Sequence, residues 1–511
     1  MIQDLSAGLE MVATPETIMV MVLAGVFGLF MGALPGMTAT LAAALLIPFT
    51  FFLDPVPAVA AIITMSAMAI FAGDVPSALL RMPGTPSSAA YTEDAYRLTR
   101  SGKGQLALGV SLVGSVLGGL FGAVVLIFLA PIVGAFALQF TSFEYFWVAV
   151  LGLTAAVIIS RGSQLKGAIA LMIGLLLSTV GLDVTMGYPR FTFGSGELYR
   201  GIDFIPAMIG LFGLSEVLRN VLAPPTPNMG AQTLRGKQGV VKDVFSNIWR
   251  YKNRVASGAA VGGSVGVLPG AGSDIAAWIS YAVTKNTSKR SHQFGRGKGH
   301  VEPIIGASSA NNAGLGGAYV PTLAFGIPGD TITAILIGVL LVKGITPGPD
   351  LFTTQTDTLY SIYIIFIIAN LLLLPLGYLL IRSSSYVLRV PRPALMACIV
   401  GIAIVGAFAI NNSHVEILIM LGMGILGFGL ERARVPLAPV VLGIVLGPLV
   451  EQNFMRSVMA TNWDLTLFFT RPISAVLIVL VVLLLFAPGL QKVIRRARQR
   501  KNANNSTRSG G

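Results

Sequence analysis

Leu34-Pro35-Gly36 and Met82-Pro83-Gly84 in the first half of the chain return in the same order as Leu268-Pro269-Gly270 and Ile327-Pro328-Gly329 in the second. Proline removes a backbone donor and glycine frees the chain from helical geometry, so each triplet predicts a break in a helix. All four lie within or beside strongly apolar runs. In a membrane interior such a break is tolerated only where it is buried in protein or lines a polar cavity. Together they predict a duplicated membrane protein whose interrupted helices meet around a site.

Composition agrees with that class. Of 511 residues, 54% are hydrophobic and 11% charged, with mean hydropathy +0.78; soluble domains carry about 25% charged residues. This predicts a polytopic protein embedded in the lipid bilayer. The net charge of +13 raises nucleic-acid binding as a possibility, but the basic residues sit in short loops between apolar spans, as a positive-inside bias requires, and no nucleic acid is expected. Met1 to Glu16 holds Asp4, Glu10 and Glu16 but no Lys or Arg. It therefore lacks the basic start of a cleaved signal peptide, and the first apolar stretch is read as retained. Cys398 is the single cysteine, which excludes an intrachain disulfide and a thiolate metal cluster. His292, His300 and His414 fall in expected loops without metal-ligand spacing, and read as surface histidines. With no H-E-x-x-H motif, an enzyme is not expected.

Apolar run lengths predict an all-α fold of two inverted-topology repeats with Pro-Gly-broken helices or re-entrant hairpins, followed by a C-terminal transmembrane helix. The expected division is a periplasmic N-terminal segment over 1–16, repeat one over 17–222 and a basic cytoplasmic linker over 223–254. Repeat two covers 255–451, a periplasmic loop and last helix 452–488, and a basic cytoplasmic tail 489–511. The first breaks are 234 residues apart (Pro35 to Pro269) and the second 245 (Pro83 to Pro328); the polar insertion Lys285 to His300 accounts for the difference. Loop charges alternate between the halves. Asp54 marks the first hairpin loop of repeat one, whereas its counterpart holds Lys285, Lys289, Arg290, Arg296 and Lys298. Arg97, Arg100 and Lys103 correspond to a segment with Asp350 and Asp357. Opposite bias at matched loops is the mark of inversion. It places the N-terminus in the periplasm and the C-terminus in the cytoplasm.

Interrupted helices leave free N–H groups that attract anions and free carbonyls that can coordinate Na⁺. Pro83-Gly84-Thr85-Pro86-Ser87-Ser88 adds hydroxyls to exposed backbone. Repeat two offers Ser273 and Asp274, Asn311-Asn312, and Asp330-Thr331 after their breaks. The plainer alternative is that Pro and Gly allow close helix packing and the hydroxyls bond back to their own helices. Asp74 and Arg81 are costly at membrane depth. Arg81 reads either as a bidentate carboxylate clamp or as half of a structural ion pair with Asp74, two turns away. Asp274 and Asp330 read as helix caps, or as coupling-ion ligands.

These motifs resemble the large membrane subunit of the tripartite tricarboxylate transporters. The resemblance runs from Gly32-Ala33-Leu34-Pro35-Gly36 through Pro83-Gly84-Thr85-Pro86-Ser87-Ser88 to Leu268-Pro269-Gly270-Ala271-Gly272. It continues through Ala310-Asn311-Asn312-Ala313, Gly326-Ile327-Pro328-Gly329-Asp330 and Gly344-Ile345-Thr346-Pro347-Gly348-Pro349, and ends with Gly447-Pro448-Leu449-Val450-Glu451. It implies a bacterial inner-membrane importer of carboxylates, working with a small membrane subunit and a periplasmic solute-binding protein. No cofactor is implied, and Na⁺ or H⁺ would be the coupling ion. A carrier independent of the binding protein and a gated anion channel are the alternatives. Read from the chemistry at the breaks, Arg81, Gly84, Thr85, Ser87, Ser88, Gly329 and Thr331 would hold substrate. Pro35, Pro269, Ser273, Asn311, Asn312 and Asp330 would coordinate the cation. The chain departs from the family where a Gly-Gly-Ser segment and an Asn are usual, with Ala72-Gly73-Asp74 and Arg81, and where a Pro-Glu is usual, with Ala307-Ser308.

Overall fold

A computed structural model describes residues 2–485 except 160–162, 184, 223–238, 298 and 389. It is an all-α polytopic protein. Among the described residues, eight helices are long and apolar enough to cross a membrane, and the only sheet is a two-stranded ribbon pairing Gly181–Leu182 with Pro189–Arg190.

The first half opens with α1 (Pro15–Ala33), whose N-cap is Thr14. The Leu34-Pro35-Gly36 break separates it from α2 (Ala39–Thr50), capped by Thr38. Twelve residues rise only about 18 Å, so α2 reaches part of the way across a bilayer. The long α3 (Pro55–Ala72) leads into a single short helix, α4 (Asp74–Leu80), which ends at the second break. Then come α5 (Gly104–Ala137), α6 (Ser142–Ile159) and α7 (Gln164–Ser178), and the half ends in an irregular helix whose last segment is α8 (Ser215–Leu222).

The stretch expected as a linker contains α9 (Val240–Arg250), which buries Val244 and Ile248 against the protein. The second half follows the order of the first. It runs α10 (Lys252–Gly266), break, α11 (Gly272–Thr287), α12 (Val301–Phe325), break, α13 (Thr331–Val342), α14 (Thr356–Val387), α15 (Arg392–Asn411), α16 (His414–Arg432) and α17 (Ala438–Ala460). A last apolar helix spans Pro472–Leu485. The expected tail lies outside the described residues.

The halves match in packing as well as order. A Cβ added to Gly28 or Gly32 of α1 would lie 2.4 Å from the Met65 or Ala69 carbonyl oxygen of α3. Gly262 and Gly266 of α10 meet the Ala310 and Gly314 carbonyl oxygens of α12 in the same way, at 2.4 and 2.3 Å. These positions are separated by the same 234 and 245 residues as the breaks. Small residues let the backbones touch, which in a membrane replaces the hydrophobic drive for helix association. The halves also interlock, because α5 of the first lies along α12 of the second, and α14 of the second lies against α3 and α5 of the first.

The backbone at the breaks is matched too. Gly36 and Gly270 both take positive φ, +89° and +80°. At the second breaks the helix ends in a left-handed residue, Gly326 in one half and Arg81 in the other, with φ of 68° and 59°. Arg81 thus occupies a glycine-favouring position, which also suits the Asn usual in the resembling family.

Two outcomes follow. Gly32→Leu and Gly266→Leu should each destabilise the protein by about 1–3 kcal/mol through overpacking, read as a lower melting temperature in detergent. Gly422→Ala, where a Cβ meets nothing within 4 Å, is the control expected to leave it unchanged. Arg81→Gly should keep or raise the melting temperature, since relief of a left-handed residue by about 1 kcal/mol offsets an exposed ion pair worth about 0–1 kcal/mol.

Candidate functional site

The four breaks, far apart in sequence, border one cavity of about 410 Å³. Thr38 and Thr40 contribute from the first break and Thr85 and Pro86 from the second. Gly270, Ser273 and Asp274 come from the third, and Asp330 and Thr331 from the fourth. The hydroxyls of Thr40 and Thr331, from opposite halves, hydrogen-bond at 2.9 Å. The wall is completed by Glu216 and Arg219 on α8 and Glu431 on α16.

Asp330 ties the second half together. It caps α13 by accepting the Thr333 N–H at 2.8 Å, and the Thr333 hydroxyl serves the Asp330 backbone in return as a capping box. Its carboxylate also accepts the backbone N–H of Ser273 at the start of α11. One carboxylate therefore faces two helix N-termini, each carrying a partial positive charge. A Cβ on Gly272 would fall 2.6 Å from the Asp330 Cβ, so only glycine permits this approach.

Arg219 is the only Lys or Arg among the lining residues. Its guanidinium donates to Glu216 and lies 3.6 Å from Glu431, with the side chain half exposed. Glu216 is fixed further by Asn220 Nδ2 at 2.6 Å. Four acids, Glu216, Asp274, Asp330 and Glu431, thus share the cavity with one guanidinium. Away from this mouth the cavity abuts an apolar cluster of Val148, Leu153, Ile327 and Leu446 through Ala156 and Leu442, which belong to both.

The expected site residues divide. Thr85, Thr331, Ser273 and Asp330 line the cavity. Gly84 and Gly329 do not, because both are buried and their N–H groups are taken, Gly84 by the Gly73 carbonyl at 3.1 Å and Gly329 by the Thr322 hydroxyl at 3.4 Å. Ser87 and Ser88 hold the shape of the break from behind: Ser88 Oγ accepts the Thr85 N–H at 3.2 Å, and Ser87 bonds the Thr85 hydroxyl at 2.9 Å. Pro35 and Pro269 stand beside the cavity without lining it, Gly270 taking the lining position. Asn311 and Asn312 lie deeper on α12, where Asn311 Nδ2 donates to Ser87 at 3.0 Å and Asn312 Nδ2 to Asn370 at 3.4 Å.

Arg81 points elsewhere. Its side chain is 57% exposed, bonds Glu93 at 2.8 Å and stacks over Tyr96. The Asp74–Arg81 pair does not form either, since the Asp74 carboxylate accepts from Tyr91 and Ser111. The left-handed end of α4 turns the arginine away from its own helix axis. His300 departs from the surface reading as well: it caps α12 by accepting the Glu302 N–H at 3.1 Å, and burial lowers its pKa. Sequence reading missed Thr38, Thr40, Glu216, Arg219 and Glu431 as lining residues. The available signal was that Glu216 and Arg219 interrupt the end of an apolar run with opposite charges three residues apart. Among the described residues no group of three or more His, Cys, Asp or Glu is set to hold a metal ion.

Comparison with known proteins agrees with this architecture. The model of the family described as "Tripartite tricarboxylate transporter TctA family" matches residues 18–442. A protein of Agrobacterium vitis named "Uncharacterized 52.8 kDa protein in TAR-I ttuC' 3'region" is 35% identical over 485 residues, 94% of each chain. A second from the same organism, "Uncharacterized protein in TAR-II ttuC' 3'region", is 38% identical over 233 residues, covering 45% of this chain and 96% of its own. No solved structure matches. The broken helices, the cavity they share and the family match over most of the chain lead to one conclusion: the chain is a multi-pass membrane component of the tripartite tricarboxylate transporter TctA family.

Proposed function

We propose that this chain is the translocating subunit of a bacterial inner-membrane carboxylate importer, coupled to a cation and supplied by a periplasmic solute-binding protein, with a small membrane subunit as partner. The observation that carries the reading is the single cavity at which all four breaks converge, lined by six hydroxyls and one guanidinium. Hydroxyls match a carboxylate's oxygen acceptors, and Arg219 supplies a bidentate, charge-assisted donor. Thr40 and Thr331 hold the first and fourth breaks together and offer their remaining hydrogen-bonding capacity to the ligand.

Cavity charge supports coupling. A carboxylate entering a space with four acids and one guanidinium meets net repulsion in a medium of low dielectric. Each negative charge brought in is favoured when a cation or proton enters with it. Asp330, Ser273 and the carbonyls around Gly270 are the groups best placed for that cation.

The two halves have inverted topology in this proposal, with the N-terminus periplasmic. Glu216, Arg219 and Glu431 then lie toward the cytoplasm, next to the basic stretch between the halves. The cavity is open to the cytoplasm, and the Val148, Leu153, Ile327 and Leu446 cluster closes the periplasmic side.

The test is uptake by proteoliposomes holding this chain and its small subunit, with succinate, malate and citrate presented on the binding protein. Accumulation above equilibrium, driven by a Na⁺ or H⁺ gradient and lost without the binding protein, is expected. Accumulation by this chain alone would remove the tripartite part of the reading, and passive anion conductance would reject it. Arg219→Gln should cut uptake about tenfold or more, as removal of a charge-assisted bond worth about 1.5–3 kcal/mol requires. Arg81→Gly should leave uptake within about twofold, since its exposed ion pair contributes little. The reverse pattern would return the clamp to Arg81.

A further inference from the structure

Asp74 does not line the cavity, yet it is a deeply buried acid in the apolar interior. It is the first residue of α4, at 2% exposure, among the apolar residues of α3, α4 and α5. Tyr91 Oη donates to Oδ1 at 2.6 Å and Ser111 Oγ donates to Oδ2. Among the described residues no Lys, Arg or His pairs with it. The neighbouring elements direct their charges elsewhere. Glu93 binds Arg81 and Arg97, Asp94 accepts the N–H groups of Gly295 and His300, and Glu302 binds Arg254. α5 holds no charged residue. Among the described residues the only other titratable group facing Asp74 is Tyr91.

An ionised carboxylate so placed costs several kcal/mol without a compensating charge. A hard cation would need a shell of several oxygens, whereas the two oxygens nearest Asp74 belong to hydroxyls that already donate to it. A proton needs no shell. Hydroxyls can donate to a carboxylate or accept from a carboxylic acid by rotating, so Tyr91 and Ser111 satisfy both states of Asp74. Polar side chains lie between it and the cavity: beyond Tyr91, Asn311 Nδ2 donates to Ser87 at 3.0 Å, Ser87 bonds Thr85 at 2.9 Å, and Thr85 lines the cavity. Asn311 Oδ1 is buried within this chain without a partner. The second half has no counterpart, since Tyr319 stands 245 residues beyond Asp74.

We propose that Asp74 is the proton carrier of this transporter, and that water entering from the cavity along the polar side chains of Thr85, Ser87, Asn311 and Tyr91 brings the proton to it. The proposal rests on the transport reading above. In each cycle one O–H bond forms on the Asp74 carboxylate with a proton from water on the substrate's side. It breaks to return that proton to water on the other side, and one positive charge moves with the substrate.

Two measurements test it on the chain reconstituted with its partner subunits. In Na⁺-free buffer with an inward proton gradient, and with succinate and citrate as probes, the wild type should accumulate probe about tenfold. Asp74→Asn should lose accumulation while still exchanging labelled for unlabelled probe, and Asp74→Glu should restore part of it. Accumulation by Asp74→Asn equal to the wild type overturns the proposal and leaves the importer standing. Independently of transport, infrared difference spectra across a pH titration should show a protonated-carboxyl band that disappears in Asp74→Asn and shifts its midpoint in Tyr91→Phe. Identical spectra in wild type and Asp74→Asn overturn the proposal. If the wild type moves neither probe, the transport reading fails and the infrared titration alone decides Asp74.

Discussion

Backbone N–H and C=O groups cannot face hydrocarbon unpaired, and a chain that interrupts its helices four times at membrane depth must cover every break with protein. The glycines of α1 and α10 are the means. By letting α1 lie directly on the carbonyls of α3, and α10 on those of α12, they bring each first break against the helix that carries the second. The break amides then find partners in the protein itself: Gly84 with the Gly73 carbonyl, Gly329 with the Thr322 hydroxyl, Ser273 with Asp330. With those groups paired, the cavity presents side-chain hydroxyls, helix ends and one guanidinium.

The same economy shapes the charges. Asp330 neutralises the two helix N-termini of the second half, so an arriving anion meets termini that are already compensated. Arg219 is then the cation that matters, and it is shared. Its bond to Glu216 is reinforced by Asn220, while Glu431 stands off at 3.6 Å. In the proposed importer, the looser partner gives way first, so a substrate carboxylate replaces Glu431 at the guanidinium while Glu216 keeps the arginine in position.

Helix limits and break positions were legible because they are local: proline, glycine and the length of an apolar run decide them. The expected Ala39–Leu53 and Ile332–Val342 segments fall within three residues of the observed α2 and α13. The lining residues were not local. Thr40 and Thr331 meet across 291 positions, and Arg219 was one more positive charge at the edge of a basic stretch until α8 placed it on the cavity. Arg81 misled for a different reason. An arginine beside a conspicuous break invites a binding role, but its direction is set by a left-handed backbone that sequence does not display.

Duplication also shows which positions are scaffold and which are chemistry. The close-packing glycines of α1 and α10, the Pro-Gly triplets and the left-handed helix ends recur at fixed separations, so the architecture needs them in both halves. Asp74 and Tyr319 occupy matched positions with different side chains. Both are buried, yet Asp74 is supplied with two hydroxyl donors, whereas the Tyr319 hydroxyl has no partner among the described residues. A scaffold requirement would have produced the same residue twice. The carboxylate and its paired hydroxyls exist only in the first half, so the two halves do not contribute the same groups to the region around the cavity. The half with Asp330 holds helix termini and acids at the cavity wall; the half with Asp74 holds a buried acid behind it.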